Sequence, residues 1–188
     1  MTIEELTIRL KQEAESFNQN EPFASPMLQE QILLKDSFKE MLTVTLACGL
    51  AGEIINREKL ETLINSCFEK FPEILEYAKK DLVATVLRDP ACLGYLEPLL
   101  FFKGFQGLQA YRIAHALWKN NERFTAKMFQ SIISRKFGMD IHPAAQIGHG
   151  LLIDHATNIV IGETAVIGNN VSILRGVTLG GTGNECGD

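Results

Sequence analysis

The hydrophobic pattern of the chain has two halves. Up to residue 138, apolar residues recur at spacings of three and four, which predicts a series of amphipathic helices. The clearest stripe predicts one helix in the middle of the chain and consists of Phe105, Leu108, Tyr111, Ala114 and Trp118. The first half is therefore predicted to be helical throughout.

Local signals place several helix ends. Thr2 and Glu5 fit a capping box at the first helix. Asp89 before Pro90 fits an N-cap followed by proline at the first helical position. Pro72 is predicted to separate two helices, because proline disrupts a helix interior. Gly138 is predicted to end the last helix as its C-cap.

A six-residue repeat begins at Met139. An aliphatic residue recurs at six-residue steps, with a small or branched residue two places earlier and often a glycine directly after it. Repeats of this kind are typical of a parallel β-helix, in which both positions point inward. The glycine is expected to permit the tight turn to the next face. The inward positions are Ala145, Ile147, Leu151, Ile153, Ile159, Ile161, Ala165, Ile167, Val171, Ile173, Val177 and Leu179.

The repeat slips once. From Ile153 to Ile161 the step is eight residues instead of six, so two extra residues must bulge out of the coil within 154–158. Insertions in stacked repeats project as loops, and such loops often carry function. Asp154 and His155 are therefore candidate functional residues.

These patterns predict an α+β protein. An all-helical N-terminal domain, residues 1–138, precedes a parallel β-helix domain, residues 139–188. A coil of a three-sided β-helix takes roughly 18 residues, so the second domain holds a little under three coils. Since the solenoid stops without a capping element at Asp188, we expect the chain to be C-terminally truncated.

Composition excludes several classes of protein. The net charge of −5 and the pI near 5.4 give no basic field for nucleic acid or an anionic membrane. From the sequence we expect neither a signal peptide nor a membrane span. The four cysteines form no CxxC pair, which argues against a metal knuckle or a disulfide framework and favours reduced thiols in the cytoplasm.

Local motifs add a resemblance to a known family. From Asp89 to Gly183 the chain is similar, in order, to the serine acetyltransferases of the hexapeptide-repeat acyltransferase superfamily, whereas residues 1–80 match them only in helical character. The motifs are Asp89-Pro90-Ala91-Cys92, Lys103-Gly104-Phe105-Gln106, Tyr111-Arg112-Ile113-Ala114-His115, Asp140-Ile141-His142-Pro143, Asp154-His155-Ala156-Thr157, Gly162-Glu163-Thr164-Ala165 and Val177-Thr178-Leu179-Gly180-Gly181-Thr182-Gly183.

The resemblance implies an activity: transfer of acetyl from acetyl-CoA to the hydroxyl of L-serine, giving O-acetylserine for cysteine biosynthesis, with no metal. His155 is the expected general base and Asp140 the carboxylate that orients it. Asp89 and Asp154 are expected to hold the amino-acid substrate. The glycine-rich turn expected to bind the cofactor is Gly181, Thr182 and Gly183.

The resemblance also implies an assembly and partners. The β-helix is expected to be left-handed, an exception to the usual right-handed crossover. Three copies are expected to form active sites between neighbouring β-helices, and the helical domain to pair two trimers into a hexamer. Cysteine is the expected feedback inhibitor. The family's Arg-His pair of the serine pocket and its tail for O-acetylserine sulfhydrylase are expected to lie beyond Asp188.

The chemistry fits these residue types. A serine hydroxyl needs a base to attack a thioester, and histidine titrates near neutral pH. A carboxylate on the other ring nitrogen fixes the tautomer. Asp140 and His155 are separated by somewhat less than one coil, so we expect them to meet across adjacent coils. No nucleophile stands beside the base in the motif, which favours direct transfer in a ternary complex.

Several alternatives stay open. One alternative is an acetyltransferase whose acceptor is a sugar or an antibiotic instead of serine. Another is that the chain is an inactive assembly module. Each candidate residue also has a purely structural alternative. His155 would be a loop residue bonded to water, Asp154 would cap a turn, and Asp89 would only cap a helix. His142, His149 and His155 raise the alternative of a zinc-dependent carbonic anhydrase, which needs three convergent ligands.

Overall fold

A computed structural model describes residues 1–52 and 55–181. The helical part contains, over these ranges, eight α-helices, with one π-helical turn, Gln29–Leu33, directly after α2. The helices are α1 Ile3–Asn20, α2 Ser25–Leu28, α3 Phe38–Leu50, α4 Arg57–Lys70, α5 Glu73–Arg88, α6 Leu96–Phe101, α7 Lys103–Lys119 and α8 Arg123–Phe137. None of the helices in the described ranges is long and apolar enough to cross a membrane.

The predicted helix ends are mostly confirmed. The hydroxyl oxygen of Thr2 accepts from the Glu5 N–H over 3.1 Å, and the Glu5 carboxylate accepts from the Thr2 N–H over 2.7 Å, which completes the capping box. Pro72 separates α4 from α5. Gly138 ends α8 with a left-handed φ of 71°.

The predicted helix start at Asp89 is wrong. Asp89 is the C-cap of α5, and its carboxylate accepts from the Ala91 N–H over 2.9 Å. This bond closes a tight turn around Pro90, so the aspartate caps a turn instead of a helix. The following helix, α6, begins at Leu96.

The second part is a stack of short parallel strands. They are β1 Met139–Ile141, β2 Gln146–Ile147, β3 Leu152–Asp154, β4 Ile159–Ile161, β5 Val166–Ile167, β6 Ser172–Leu174 and β7 Thr178–Leu179. Three sheets form the faces of a prism: β1-β4-β7, β2-β5 and β3-β6. The predicted inward positions all belong to the core or pack against it, apart from Leu179 in the last described strand, which is 37% exposed.

Strand register confirms the slip. Met139 of β1 lies opposite Ile159 of β4, and Val160 of β4 lies opposite Thr178 of β7. The residue numbers within the first pair differ by two more than those within the second. The first coil is therefore two residues longer than the second, and the surplus lies between β3 and β4.

The predicted role of the repeat glycines is wrong. Gly148 and Gly162 do not have positive φ angles, so they supply no special turn. Their role depends on the absence of a side chain. A Cβ on Gly148 would stand 2.8 Å from the Gly168 carbonyl carbon, and one on Gly162 would stand 3.2 Å from the Gly180 Cα. At these two positions glycine lets successive coils stack closely.

Helix α7 joins the helices to the first coil. The predicted stripe is confirmed, with Phe105, Leu108, Tyr111 and Ala114 at most 3% exposed. Two polar residues of this helix contact carbonyl groups of the first coil. The Tyr111 hydroxyl donates to Ala145 O, and the His115 ring nitrogen Nδ1 lies 2.8 Å from Pro143 O.

A buried ion pair lies at the centre of this junction. Arg112 of α7 donates to the carboxylate of Asp81 in α5 through Nε at 3.1 Å and Nη2 at 2.6 Å. Asp81 is 0% exposed and also accepts from the Leu151 N–H over 2.9 Å. Arg112 Nη2 also donates to Gly148 O over 2.8 Å. The pair thus connects α5, α7 and the first coil.

Replacing Asp81 with asparagine is expected to lower the free energy of unfolding by about 3–5 kcal/mol, because it leaves a buried guanidinium without its counter-charge. Urea denaturation measures the change. Lys39→Met is the matched control, since its pair with Glu69 spans 3.4 Å at the surface and contributes at most about 1 kcal/mol. Equal effects of the two substitutions would contradict the central role of the buried pair.

Acid is expected to weaken the same junction. Burial lowers the pKa of His115 below its usual 6.5, so the unfolded chain binds more protons than the folded one in mildly acidic solution. The contribution of neutral His115 to the free energy of unfolding is thus complete above pH 6.5, and it is lost as the pH falls through the pKa of the folded state. His115→Gln should flatten the fall in unfolding free energy between about pH 7 and pH 5; an unchanged slope would refute this.

Candidate active site

The surplus residues of the first coil form a strained turn, which we call the slip turn, residues 155–158. His155, Ala156 and Asn158 have φ angles of 57°, 56° and 59°, in the left-handed region. Such a conformation costs about 1–3 kcal/mol per residue and persists where the surroundings impose it, often at functional sites. Ala156 is fully buried, and its N–H donates to Asp154 O over 2.7 Å.

The slip turn presents His155 to solvent. The imidazole is 67% exposed, and its Nε2 lies 3.7 Å from a carboxylate oxygen of Asp154. This separation is longer than a hydrogen bond, and the contact is an ion pair only when the imidazole is protonated. A histidine next to a carboxylate, held on a projecting turn, is an arrangement suited to accept a proton from a substrate.

The N-terminus of α7 lies against the slip turn. A Cβ atom on Gly104 would overlap the carbonyl oxygen of Ile153, so this approach of helix to strand requires glycine. The neighbouring Lys103 donates from Nζ to Thr157 Oγ1 over 2.6 Å. Sequence reasoning did not assign either residue to the site, although a glycine in the first turn of a buried helix is a signal of close approach.

The described hydrogen bond of Asp140 goes to a residue other than His155. Asp140 belongs to β1, where it is opposite Val160, and its carboxylate accepts from Gln130 Nε2 over 2.7 Å. Among the described contacts there is no hydrogen bond or ion pair between Asp140 and His155. The role of Asp140 as the orienting carboxylate stays a prediction, and Gln130 is a partner that the sequence did not indicate.

The end of α5, directly before Asp89, contacts the sheet that contains Asp154. Arg88, the neighbour of Asp89, donates to the Ser172 hydroxyl over 3.3 Å, at the start of β6. Asp154 is opposite Leu174, at the end of that strand. Two strand residues span roughly 7 Å, so the loop that carries Asp89 reaches the sheet that ends in the slip turn.

The predicted cofactor turn is described only in part. Gly181 is exposed, while Thr182 and Gly183 lie outside the described residues. Gly180, just before it, stacks on Gly162 of the previous coil. Together these glycines make a surface strip without side chains.

The three histidines of the zinc alternative do not converge. His142 follows β1, His149 follows β2 and His155 follows β3, so they lie at three different corners of the prism. Across residues 1–52 and 55–181 there is no group of three metal-binding side chains. Within one chain, the described geometry therefore gives the carbonic anhydrase alternative no site.

Cys92, which follows the turn at Asp89, is poorly suited to act as a nucleophile. Cys92 Sγ lies 3.1 Å from Gly94 O, and burial raises the pKa of its thiol. A raised pKa lowers the fraction of reactive thiolate at neutral pH.

Gly104→Ala is expected to push α7 away from β3 and lower the free energy of unfolding by about 1–3 kcal/mol, the usual cost of overpacking. Thermal denaturation measures the change. Gly168→Ala is the matched control, because a Cβ there would meet no atom of the described residues within 4 Å. The close contact at Gly104 would be disproved by equal midpoints for the two variants.

Comparison with known proteins identifies the relatives of this chain. Residues 7–110 match the family described as "Serine acetyltransferase, N-terminal". The chain is 46% identical to chloroplastic serine acetyltransferase 1 of Arabidopsis thaliana, over 98% of this chain and 59% of that protein. It is 45% identical to the serine acetyltransferase of Haemophilus influenzae, over 95% of this chain and 67% of that protein.

Solved structures show the same architecture. A serine acetyltransferase from Vibrio cholerae superimposes with a TM-score of 0.96 at 43% identity, over 100% of this chain and 72% of that one. A soybean serine acetyltransferase complexed with serine matches with a TM-score of 0.95 at 43% identity, over 99% of this chain and 76% of that one. A serine acetyltransferase in complex with CoA matches with a TM-score of 0.94 at 43% identity, over 97% of this chain and 77% of that one.

These likenesses confirm the expected fold class, a helical part followed by a left-handed parallel β-helix. The chain spans 59% and 48% of the length of two Arabidopsis thaliana relatives that it matches. The family model covers more than half of this chain, and nearly half of the aligned residues are identical to those of the curated members. The chain belongs to the serine acetyltransferase family.

Proposed function

We propose that this chain carries the acetyl-transfer site of a serine O-acetyltransferase, which moves the acetyl group of acetyl-CoA to the hydroxyl of L-serine. The observation that carries the proposal is the exposed His155 on the slip turn, 3.7 Å from the carboxylate of Asp154. Solved relatives complexed with serine and with CoA support the choice of substrates.

His155 acts as general base and then as general acid. Its imidazole takes the proton of the serine hydroxyl while the hydroxyl oxygen attacks the thioester carbonyl carbon. The carbon–sulfur bond then breaks, and the imidazolium returns the proton to the sulfur of CoA. A nearby carboxylate stabilises the imidazolium once it forms. Asp154 lies 3.7 Å from the ring, and Asp140 is proposed for this role on the family resemblance.

Asp154 and Asp89 are proposed to bind the ammonium group of serine. Charge-assisted hydrogen bonds to carboxylates are the strong ones. Asp154 ends β3, and Arg88, next to Asp89, contacts Ser172 of β6, which pairs with β3. A sugar acceptor would have no ammonium group for these two residues to hold. The proposed acceptor is thus an amino acid.

Acetyl-CoA is proposed to lie along the glycine strip at Gly162 and Gly180 and to be bound by the residues expected from the sequence, Gly181, Thr182 and Gly183. A surface without side chains lets an extended ligand approach the backbone closely. Cys92, with its raised thiol pKa, is not a ready acetyl acceptor. Direct transfer between the two bound substrates is therefore proposed.

Self-association is part of the proposal. Several outward-facing side chains of the coils are apolar and exposed in a single copy: Val160, Val166 and Leu174, at 42%, 73% and 61%. Burying such residues between copies is favourable. We propose that three copies pack through these faces and that the helices pair two trimers.

Cysteine, which shares the amino-acid group of serine, is proposed to compete for the same site. The cytoplasmic location stays a prediction.

Thiol release from acetyl-CoA with and without L-serine tests the proposal. The parent chain should release thiol only when serine is present, and His155→Ala should reduce the rate by about 10²–10⁴-fold, the usual contribution of a general base. His142→Ala is the matched control, because His142 lies at another corner of the prism.

The outcomes are separable. Release that sugars support as well as serine would contradict the assignment of the acceptor. Equal rates in the parent and His155→Ala, with both chains folded by circular dichroism, would contradict the assignment of the base. No release from the folded parent would contradict the proposal for this chain.

A further inference from the structure

Two hydrogen bonds in series connect α7 to the backbone of His155. Lys103 Nζ donates to Thr157 Oγ1 over 2.6 Å, and Thr157 Oγ1 donates to the His155 carbonyl oxygen over 3.2 Å. The ammonium is a donor only, whereas a hydroxyl both donates and accepts, which fixes the direction of both bonds. Because Lys103 donates to one lone pair of the Thr157 hydroxyl oxygen, the hydroxyl proton can point at the carbonyl oxygen of His155.

We propose that Lys103 and Thr157 are positioning residues, which hold His155 in its left-handed backbone conformation without contacting the substrates. The proposal rests on the base role of His155 put forward above. It assigns to Lys103 a function exerted through the backbone of the slip turn.

The backbone of the slip turn needs these hydrogen bonds because the imidazole of His155 makes few contacts that would hold the ring in place. His155 is 67% exposed, and its contact with Asp154 spans 3.7 Å. The position of the ring therefore depends on the backbone angles of His155 and Ala156, both left-handed and both unfavourable for side-chain-bearing residues. A histidine free to relax from φ 57° would swing its ring away from the present position.

Other contacts fix the far end of the turn. The Gly176 N–H donates to Thr157 O over 2.9 Å, and Ala156 is fully buried. Neither contact reaches the carbonyl group of His155. Among the described hydrogen bonds, the Thr157 hydroxyl is the group that does, and Lys103 is the group that orients this hydroxyl.

Helix α7 is a rigid base for the support. Lys103 is its first residue, and the following Gly104 touches the backbone of Ile153 directly before the site. Further along, Arg112 binds the helix to Asp81 and to the first coil. A charge-assisted hydrogen bond from such a base is stronger than a neutral one.

The test compares kcat and KM among variants of the full chain. Lys103→Met removes the ammonium, and Thr157→Val removes the hydroxyl at similar volume. Each should lower kcat by about ten- to hundredfold, as for a misplaced catalytic group, with both KM values within about twofold. The double variant should be no slower than the slower single variant, because one chain of bonds is broken either way.

Matched substitutions show whether the bonds themselves matter. Lys103→Arg and Thr157→Ser keep the donor and the hydroxyl, so both should retain most of the parent kcat. Lys119→Met removes a charge from the other end of α7 and should leave kcat unchanged. Thermal midpoints within a few degrees of the parent exclude general unfolding as the cause of a loss.

Three results would overturn the proposal. One is a parent-like kcat in Lys103→Met, and another is additive loss in the double variant. The third is a raised KM for acetyl-CoA with unchanged kcat, which would mean that Lys103 contacts the cofactor directly.

A second readout separates this proposal from the proposed function. The chain has four histidines, so their imidazole C–H signals can be assigned by NMR through single substitutions. Even if the parent releases no thiol, the His155 signal should shift or broaden alike in Lys103→Met and Thr157→Val, and return to its parent position in Lys103→Arg. An unchanged His155 signal in Lys103→Met would overturn the proposal whether or not the chain is active.

Discussion

The relation between the helices and the coils depends on one buried ion pair. Asp81 and Arg112 are both withdrawn from water, and their hydrogen-bonding partners come from several segments of the chain. Such a pair adds little net stability compared with apolar packing, but it tolerates few alternative geometries. Its effect is directional: it sets where α7 crosses the first coil, and α7 in turn sets where the slip turn lies.

Absence of side chains shapes the site as much as their presence does. Gly104 brings the end of a helix onto a strand, and Gly148 and Gly162 bring coils onto one another. All three act through the room that a missing Cβ leaves, while the left-handed angles of the slip turn are carried by residues with side chains. The slip turn thus has its left-handed angles at residues with side chains, and these three glycines lie where backbones come into contact.

The sequence predicted what depends on local periodicity. The hexads and the slip are regularities of neighbouring residues, and the strand register confirms both, since the coil that contains the slip is the longer one. The error at Asp89 has a local cause, since the same aspartate serves equally well in a tight turn and at a helix start. The glycine error concerned mechanism: a turn and a close approach favour the same residue.

The contacts around the site were beyond prediction for a different reason. Lys103 and Thr157 are far apart in the sequence, and Asp140 meets Gln130 from another element. Such pairs follow from the crossing of α7 and α8 with the first coil, which no local pattern encodes. The proximity expected for Asp140 and His155 came from counting residues per coil; where each carboxylate and ring points depends on partners that the count does not include.

The slip turn also bears on how this architecture can vary. The coil after it returns to the regular period of three hexads, so the two surplus residues leave no trace in the stacking above them. A solenoid of this kind can lengthen or shorten a single corner while the remaining repeats keep their phase. Each corner can therefore change its loop, and the functional residues on it, independently of the others. The stacked strands of the prism keep the same geometry whichever loops the corners carry.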